Sequence, residues 1–362
     1  MIYSTPPQTG PLASALAELD TLRESLRLRI GQSGPWLGSL RRLVKASSAE
    51  SSVSIEGYSV PEREAIAIVS GPKTAAAGDE NQLALADYAR AMDHVGVMAD
   101  DPTFEWSDRV ILDLHFDACL FQRDKGPGRW RETPIFVTAP EGGVAYQAPD
   151  AERVVPLMSE VVGWLREGDL EAHVVVRAAM AHLHTVTVHP FRDGNGRISR
   201  IVHSLVLARE GLLAPEFASI EEYLGSHTRE YYDVLRAVQG GSYQPERDAT
   251  DWVRFCVGAH IGQARRRLDQ LTEAAARWGF LEDLVERRGW PDRLVIALEQ
   301  SLTGGTDRST YEAEADVSPA TASNDFRRLV DAGLIEQTGR GRSTRYQAGA
   351  ELRDSVAAAS PG

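Results

Sequence analysis

The chain has 362 residues, of which 43% are hydrophobic and 7% aromatic, which is ample for the packed cores of two or three domains in a soluble protein. Its formal net charge of −13 argues against attraction of the whole chain to nucleic acid or to an anionic membrane, although it leaves room for a local basic patch. The two cysteines, Cys119 and Cys256, are far apart, which fits a reducing cytoplasm without a disulfide framework.

The N-terminal region, residues 1–81, is predicted to be helical. Its start has neither the basic end nor the apolar core of a signal peptide, and no apolar run in the chain approaches the roughly 18 residues that a membrane span needs. Apolar residues three or four apart, from Leu16 to Ile30, predict an amphipathic helix. After a break at Gly34-Pro35, a second helix is predicted over residues 36–45.

A hydroxyl and a carboxylate follow at Ser52 and Glu56. We expect Glu56 to end a short helix, with Gly57 as its left-handed stop and Ser52 one turn back on the same face. A carboxylate in that position is suited to pair with a guanidinium. The alternative is a surface glutamate before a glycine that caps the helix.

Residues 82–265 are predicted to form a helical core. Apolar spacing predicts helices over residues 82–97, 111–119, 156–165 and 171–187. His115, His182 and His184 lie on these helices, and we interpret all three as structural.

A β-hairpin is predicted inside this core. The turn Lys125-Gly126-Pro127-Gly128 precedes residues 129–138, whose Thr, Ile, Phe and Val content favours a strand. A second turn, Glu141-Gly142-Gly143, leads into residues 144–146, which complete the hairpin.

Residues 189–200 carry the densest chemistry in the chain. Gly194 and Gly196 permit positive φ and remove side chains, so that backbone N–H groups can face an anion. A helix beginning near Asn195 adds unpaired N–H groups and the positive end of its dipole. We interpret this stretch as a cradle for a nucleotide phosphate chain.

Four charged or titratable side chains surround the cradle. Arg197 and Arg200 are three apart, so we expect them to share a helix face and to grip phosphate oxygens. Asp193 is a hard oxygen ligand suited to Mg²⁺, and His189 is suited to take a proton from an attacking hydroxyl. Phe191 is expected to anchor the loop in the core. The alternative, a surface loop with a capped helix, leaves the arginines and the histidine unexplained.

The stretch resembles the Fic family signature, H-x-F-x-[D/E]-G-N-G-R-x-x-R, at every defined position. The resemblance implies an all-helical core that transfers AMP from ATP to a protein hydroxyl. It further implies a base (His189), a Mg²⁺ ligand (Asp193), an anion hole (Gly194, Asn195 and Gly196) and phosphate ligands (Arg197 and Arg200). It also implies that the hairpin is a flap that pairs with a target peptide at Pro134, Ile135, Phe136, Val137 and Thr138; the alternative is a hairpin that only covers the core.

Two further segments resemble Fic proteins. Ser52 to Gly57 matches the inhibitory pattern [S/T]-x-x-x-E-[G/N], which implies that Glu56 pairs with Arg200 and restrains the site. Tyr231-Tyr232 resembles the nucleotide pocket, and Gln239 aligns with a position where some relatives carry an adenine-contacting Asn. The alternative for both tyrosines is core or rim packing.

The C-terminal part divides into a connecting helix, residues 266–289, and a unit at residues 290–350 that resembles a winged helix-turn-helix. We predict its helices over residues 294–302 and 310–315, a third capped by Ser318 with Pro319 in its first turn, and strands over residues 334–337 and 344–347. Residues after about 351 are expected to be frayed. Five arginines are candidates for phosphate contacts, and five acidic residues largely offset them: Arg327, Arg328, Arg340, Arg342 and Arg345 against Glu312, Glu314, Asp316, Asp325 and Asp331. Winged helices also dock proteins.

We therefore predict a mainly α, cytoplasmic protein adenylyltransferase that uses ATP and Mg²⁺, modifies a target protein and is inhibited through Glu56. Family habit suggests a homodimer. Three alternatives remain open: a phosphotransferase of the related toxin type, removal of AMP by the same site with Glu56 positioning water, and a DNA-binding regulator whose core senses nucleotide.

Overall fold

A computed structural model describes residues 1–71, 79–138, 142–339, 341 and 344–359 of the chain. Helices dominate: α1 (Pro11–Gly31), α2 (Leu37–Ser54), α3 (Glu62–Ser70), α4 (Glu80–Asp100), α5 (Asp108–Cys119), α6 (Val154–Glu167), α7 (Val174–Val188), α8 (Asn195–Ala208), α9 (Pro215–Ala218), α10 (Glu221–Ser226), α11 (Thr228–Gln239), α12 (Thr250–Arg287), α13 (Leu294–Leu302), α14 (Arg308–Ala315), α15 (Pro319–Asp331) and α16 (Ala350–Ala359). Two antiparallel hairpins pair β1 (Phe136–Thr138) with β2 (Val144–Gln147) and β3 (Ile335–Thr338) with β4 (Arg345–Ala348). The predicted mainly α class with a small hairpin in the core is confirmed. Of the helices that the structure describes, none is both long and apolar enough to cross a bilayer.

The centre of the fold is the pair α7 and α8, which pack against each other. From Val175 to Val188, every residue of α7 except Arg177 is buried, as expected for a helix that is apolar on nearly all sides. Helices α4 and α5 cover α8, while α6 and α12 cover α7. The loop between α7 and α8 therefore projects from the densely packed centre of the fold.

Helix α2 is longer than predicted, because it continues to Ser54 instead of ending near residue 45. The Ala- and Ser-rich segment that follows residue 45 resembles a loop in composition, yet Ser48 and Ser52 are buried within the packed helix. Glu56 thus follows a helix of 18 residues, and the expectation of a separate short helix is wrong. Gly57 does adopt the expected left-handed conformation, with φ +91°.

The core hairpin is shorter than predicted. Only Phe136–Thr138 of the predicted strand over residues 129–138 has strand conformation, and it pairs with Val144–Gln147. Glu141 of the predicted turn lies outside the described residues, whereas Gly142 and Gly143 both have positive φ.

The predicted connecting helix is not a separate element, since α12 runs unbroken for 38 residues across the expected boundary at residue 265. Its second half buries Leu271, Ala274 and Leu281, and the helix packs along α1. The helix therefore fastens the N-terminal region to the core in addition to leading towards the C-terminal unit.

The C-terminal unit has the predicted order of three helices and a hairpin. Helix α13 matches its predicted bounds, α15 is capped by the Ser318 hydroxyl, and each strand is shifted by one residue. The expected fraying after residue 351 is wrong, because Ala350–Ala359 forms α16, which buries Leu352 and packs against α12. Arg340 and Arg342 lie outside the described residues, and the winged-helix assignment stays a prediction.

Candidate active site

The loop between α7 and α8 begins and ends at a residue with a left-handed backbone conformation. His189 ends α7 with φ 51°, and Gly194 precedes α8 with φ 76°. The predicted positive φ is therefore found at Gly194 but not at Gly196, which lies inside the first turn of α8. Gly196 is needed for space instead, because a Cβ there would collide with the Glu56 carboxylate.

The loop is anchored as predicted by Phe191, which is fully buried and stacked on the His115 ring at 3.5 Å between centroids. The Gly128 amide donates to His115 Nδ1 at 2.9 Å, so Nε2 carries the proton and donates to the Asp193 carbonyl at 3.0 Å. Burial lowers the pKa of His115 to about 4, which keeps the ring neutral. His115 is thus a structural residue, as predicted, and it fixes the loop.

The Asn195 side chain does not face the anion-binding space. It accepts from the Phe191 amide at 2.9 Å and donates to the Phe191 carbonyl at 2.8 Å, closing the loop on itself. The side chain is buried, so any contribution of Asn195 to an anion hole must come from its backbone.

One ring nitrogen of His189 is hydrogen-bonded to the backbone, and the other is free to accept a proton. Nδ1 lies 3.2 Å from the Val186 carbonyl, which assigns the proton to Nδ1 and leaves the lone pair of Nε2 free. Burial lowers the pKa of His189 to about 4, so the imidazole is neutral at pH 7. This is the tautomer that a general base requires.

Arg200 is held by Glu56, as the sequence resemblance implied, and also by Ser52. Its Nε donates to Ser52 Oγ at 2.7 Å, and its Nη2 donates to the Ser52 carbonyl at 2.9 Å and to Glu56 Oε1 at 3.0 Å. Nη1 is buried and has no hydrogen-bond partner among the described residues, and it lies 3.1 Å from the Cβ position of Gly196. The guanidinium therefore has one donor directed towards the first turn of α8.

Arg197 diverges from Arg200, contrary to the expectation that both share a face directed at phosphates. Its buried guanidinium donates to Gln122 Oε1 at 2.9 Å and to Asp193 Oδ1 at 3.2 Å, and it lies over the rings of Tyr58 and Phe121. Gln122 also donates to Asp193 Oδ2 at 3.0 Å. Arg197 therefore contacts the Asp193 carboxylate and does not line the cavity that the loop borders.

These groups meet at a cavity of about 610 Å³ that runs from the loop to the hairpin and to α11. Most predicted site residues line this cavity. The exceptions, which are not among the lining residues, are Ser52, Pro134, Arg197 and Arg200. The lining residues that we predicted are Glu56, Ile135, Phe136, Val137, Thr138, His189, Asp193, Gly194, Asn195, Gly196, Tyr231, Tyr232 and Gln239.

Comparison with known proteins decides the family of this region. Residues 106–207, which include the whole loop and α5 to α8 except the last residue of α8, match the model of the Fic/DOC family. The chain contains a Fic/DOC domain.

Relatives of the Fic domain are named protein adenylyltransferases. Protein adenylyltransferase Fic of Culex quinquefasciatus is 36% identical over 119 residues, which are 33% of this chain and 21% of the relative. Protein adenylyltransferase fic-1 of Caenorhabditis elegans is 36% identical over 137 residues, which are 37% of this chain and 24% of the relative. The chain thus matches about a quarter of the length of these curated relatives.

Solved Fic structures share the fold. A Fic family protein from Desulfovibrio desulfuricans G20 superposes with a TM-score of 0.61 at 20% identity, covering 96% of this chain and 99% of the other. Fic-1 of C. elegans superposes with a TM-score of 0.54 at 22% identity, covering 72% of this chain and 73% of the other.

On the α11 side, Tyr231, Tyr232 and Gln239 line the cavity. The Tyr231 hydroxyl lies 3.0 Å from His182 Nε2, so the structural role expected for His182 is to hold Tyr231. Tyr232 is 42% exposed. The Gln239 side chain is buried and lines the cavity.

Sequence reasoning missed Gln122 and Arg131, which together fix Asp193 and the His189 backbone. Their partners at the loop and on α8, which are Asp193, His189 and Arg197, lie 58 to 75 positions away, so no local pattern indicates these contacts. A match to the Fic domain over residues 106–207 would have marked both as part of the unit, but not their contacts.

Proposed function

We propose that this chain is a cytoplasmic protein adenylyltransferase, which transfers AMP from ATP to a Ser, Thr or Tyr hydroxyl of a target protein. The observation that carries the proposal is a single cavity lined by the free Nε2 side of His189, the N-terminal turn of α8 and strand β1. The names of the relatives that share the Fic domain support the same reaction. The two cysteines are free and buried, which fits a reducing compartment.

In the proposed reaction His189 Nε2 takes the proton of the target hydroxyl as its oxygen attacks the α-phosphorus of ATP. A new bond forms between that oxygen and phosphorus, the bond from the α-phosphorus to the bridging oxygen breaks, and pyrophosphate leaves. The first N–H groups and positive dipole end of α8 stabilise the phosphate charge. Gly196 allows this backbone to approach the phosphates, because it carries no side chain.

Mg²⁺ is the metal that the site would hold through Asp193. The carboxylate is 37% exposed and lines the cavity, while Arg197, Gln122 and the Gly194 amide fix its orientation from behind. A single fixed carboxylate fits Mg²⁺, which takes its remaining ligands from water and phosphates. When bound, Mg²⁺ would neutralise phosphate charge.

We further propose that the structure represents an autoinhibited state. A triphosphate on the cradle needs a cation for its γ-phosphate, and Nε and Nη2 of Arg200 are occupied by Ser52 and Glu56, which leaves only Nη1. The Glu56 carboxylate also lies against Gly196, where its negative charge repels phosphate oxygens. ATP would then bind only in a pose that cannot react.

The target peptide is proposed to pair with β1. In the described part of the chain β1 forms a ladder only with β2, so its other edge is free to accept a strand. Phe136 is 53% exposed and lines the cavity, so it would offer an apolar contact to that strand. A strand bound there would bring its acceptor hydroxyl towards His189, which lines the same cavity.

Labelling with ATP separates this reaction from its competitors. The Glu56→Gly variant, incubated with lysate, should label protein from α-³²P-ATP and not from γ-³²P-ATP. Label from γ-³²P-ATP would identify a phosphotransferase, and loss of AMP from a purified labelled target would identify the reverse activity.

A second candidate function is DNA binding by the C-terminal unit. It is favoured because two of the acidic residues in this unit are engaged in ion pairs. Asp325 is buried and pairs with Arg293, and Glu314 pairs with Arg42 of α2, so neither offsets the arginines on the surface. Arg327 and Arg328 remain exposed on α15. A gel shift with marked dependence on salt tests this candidate.

A further inference from the structure

Arg131 is a buried guanidinium bonded to backbone carbonyls alone. Its side chain is 2% exposed and makes no ion pair with a carboxylate of any described residue. Nε donates to the His189 carbonyl at 2.7 Å, Nη1 to the Thr133 carbonyl at 2.9 Å, and Nη2 to the Pro149 carbonyl at 2.6 Å and the Val188 carbonyl at 3.5 Å.

Burying a cation without a counter-ion is costly, so this arrangement needs several good acceptors. The planar fork of a guanidinium carries five N–H groups in fixed directions, and a lysine ammonium cannot reproduce that geometry. The backbone strengthens the same junction, because the Arg131 amide donates to the Pro190 carbonyl at 2.9 Å.

The partners of Arg131 come from the two parts of the site that must meet. Thr133 precedes strand β1, and Pro149 follows strand β2, so both ends of the hairpin are held. His189 is the left-handed residue that ends α7 and carries the imidazole. One side chain therefore sets the separation between the hairpin and the imidazole.

We propose that Arg131 is a positioning residue, which fixes the β1 edge relative to His189 so that an acceptor hydroxyl bound there reaches Nε2. This inference rests on the proposed adenylyltransferase function. Arg131 does not line the cavity and makes no contact with Gly194, Gly196 or Arg200, so it acts on the acceptor side and not on the nucleotide side.

The positive charge of Arg131 also affects His189. Burial is the main cause of the low pKa of His189, and Arg131 lowers it further, whereas Glu56 and Asp193 raise it. Loss of the guanidinium should therefore move the acidic limb of the pH profile of kcat/KM to higher pH. A purely structural role far from the imidazole would leave that limb in place.

The test compares Arg131→Ala and Arg131→Lys in the Glu56→Gly background, with AMP transfer from α-³²P-ATP and the Kd for ATP measured on the same preparations. Arg209→Ala is the matched control, because Arg209 also donates to backbone carbonyls, at Met98, Ala99 and Asp101, away from the site. The parent Glu56→Gly protein must transfer AMP, and its failure would count against the proposed function, not against Arg131.

We expect both Arg131 variants to lose on the order of 10²-fold in kcat, as for a reacting group displaced by about 1 Å, while the Kd for ATP changes less than about twofold. Free guanidinium ion should restore part of the activity of Arg131→Ala but not of Arg209→Ala. If Arg131→Ala does not fold, Arg131→Lys carries the test. Activity within about twofold of the parent, or ATP binding lost in proportion to activity, would overturn the proposal.

Discussion

Glu56 and Arg200 form an ion pair of 3.0 Å that joins the end of α2 to the first turns of α8, although 144 residues separate them in the chain. The Arg200 side chain is only 1% exposed, whereas Glu56 is 21% exposed and borders the cavity. The pair can therefore be broken from the cavity side without unfolding the core. This asymmetry is what makes Glu56 the residue to change.

Replacing Glu56 with Gly should raise AMP transfer. The substitution frees two positions at once, because it releases Nη2 of Arg200 and removes the carboxylate from beside Gly196. A shift of about 1.4 kcal/mol in favour of the productive pose corresponds to a tenfold gain, and we expect at least that much. Glu56→Gln, which keeps the shape and loses the charge, should give a smaller gain. Equal labelling by wild type and both variants would count against autoinhibition.

Ser52→Ala should destabilise the protein. The hydroxyl accepts from Arg200 Nε at 2.7 Å in a fully buried position, and its loss leaves a charged donor without that partner. We expect a decrease of about 1–3 kcal/mol in the free energy of unfolding, measured in urea. Ser54→Ala is the control, because the Ser54 hydroxyl bonds only locally, to the Ser51 carbonyl, and should cost less than about 0.5 kcal/mol. Equal losses in the two variants would show that Ser52 does not support Arg200.

The pH profile should reveal a base that is already neutral. Burial lowers the pKa of His189 to about 4, so its free-base form is populated throughout the range from about pH 5 to pH 8. In the Glu56→Gly variant, kcat/KM should therefore show no limb from His189 in that range. A limb with a midpoint near about 6.5 that persists when residues other than His189 are substituted would contradict the burial of the imidazole.

Acid should destabilise the fold through its buried histidines. Burial lowers the pKa values of His115, His189 and His203 to about 4 and that of His184 to about 3. The unfolded chain binds protons at these residues below its ordinary pKa of about 6.5, while the folded chain does not. The free energy of unfolding should therefore fall as pH decreases from about 6.5 towards 4. A stability that is constant over this window in urea titrations would refute the assignment.

Much of the site could be predicted because its chemistry is local in sequence. The glycine-rich loop and the apolar stripe after it predicted α8 correctly, and Ser318-Pro319 predicted the start of α15. The end of helix α2 was predicted wrongly because composition does not distinguish a buried serine from a loop serine. The buried serines of α2 bond to Arg200 and Arg267. Side-chain direction is equally hidden, since spacing alone placed Arg197 beside Arg200 but neighbours on α5 and at Gln122 draw it away.

We propose that His189 is the base at a cradle that holds ATP for transfer of AMP. The most direct measurement is the rate of protein labelling from α-³²P-ATP by Glu56→Gly and by Glu56→Gly/His189→Ala, with the Kd for ATP determined for both. We expect the second variant to bind ATP with unchanged affinity and to label protein more slowly, by a factor on the order of 10²–10⁴. Labelling by the second variant at the rate of Glu56→Gly would show that His189 is not the base.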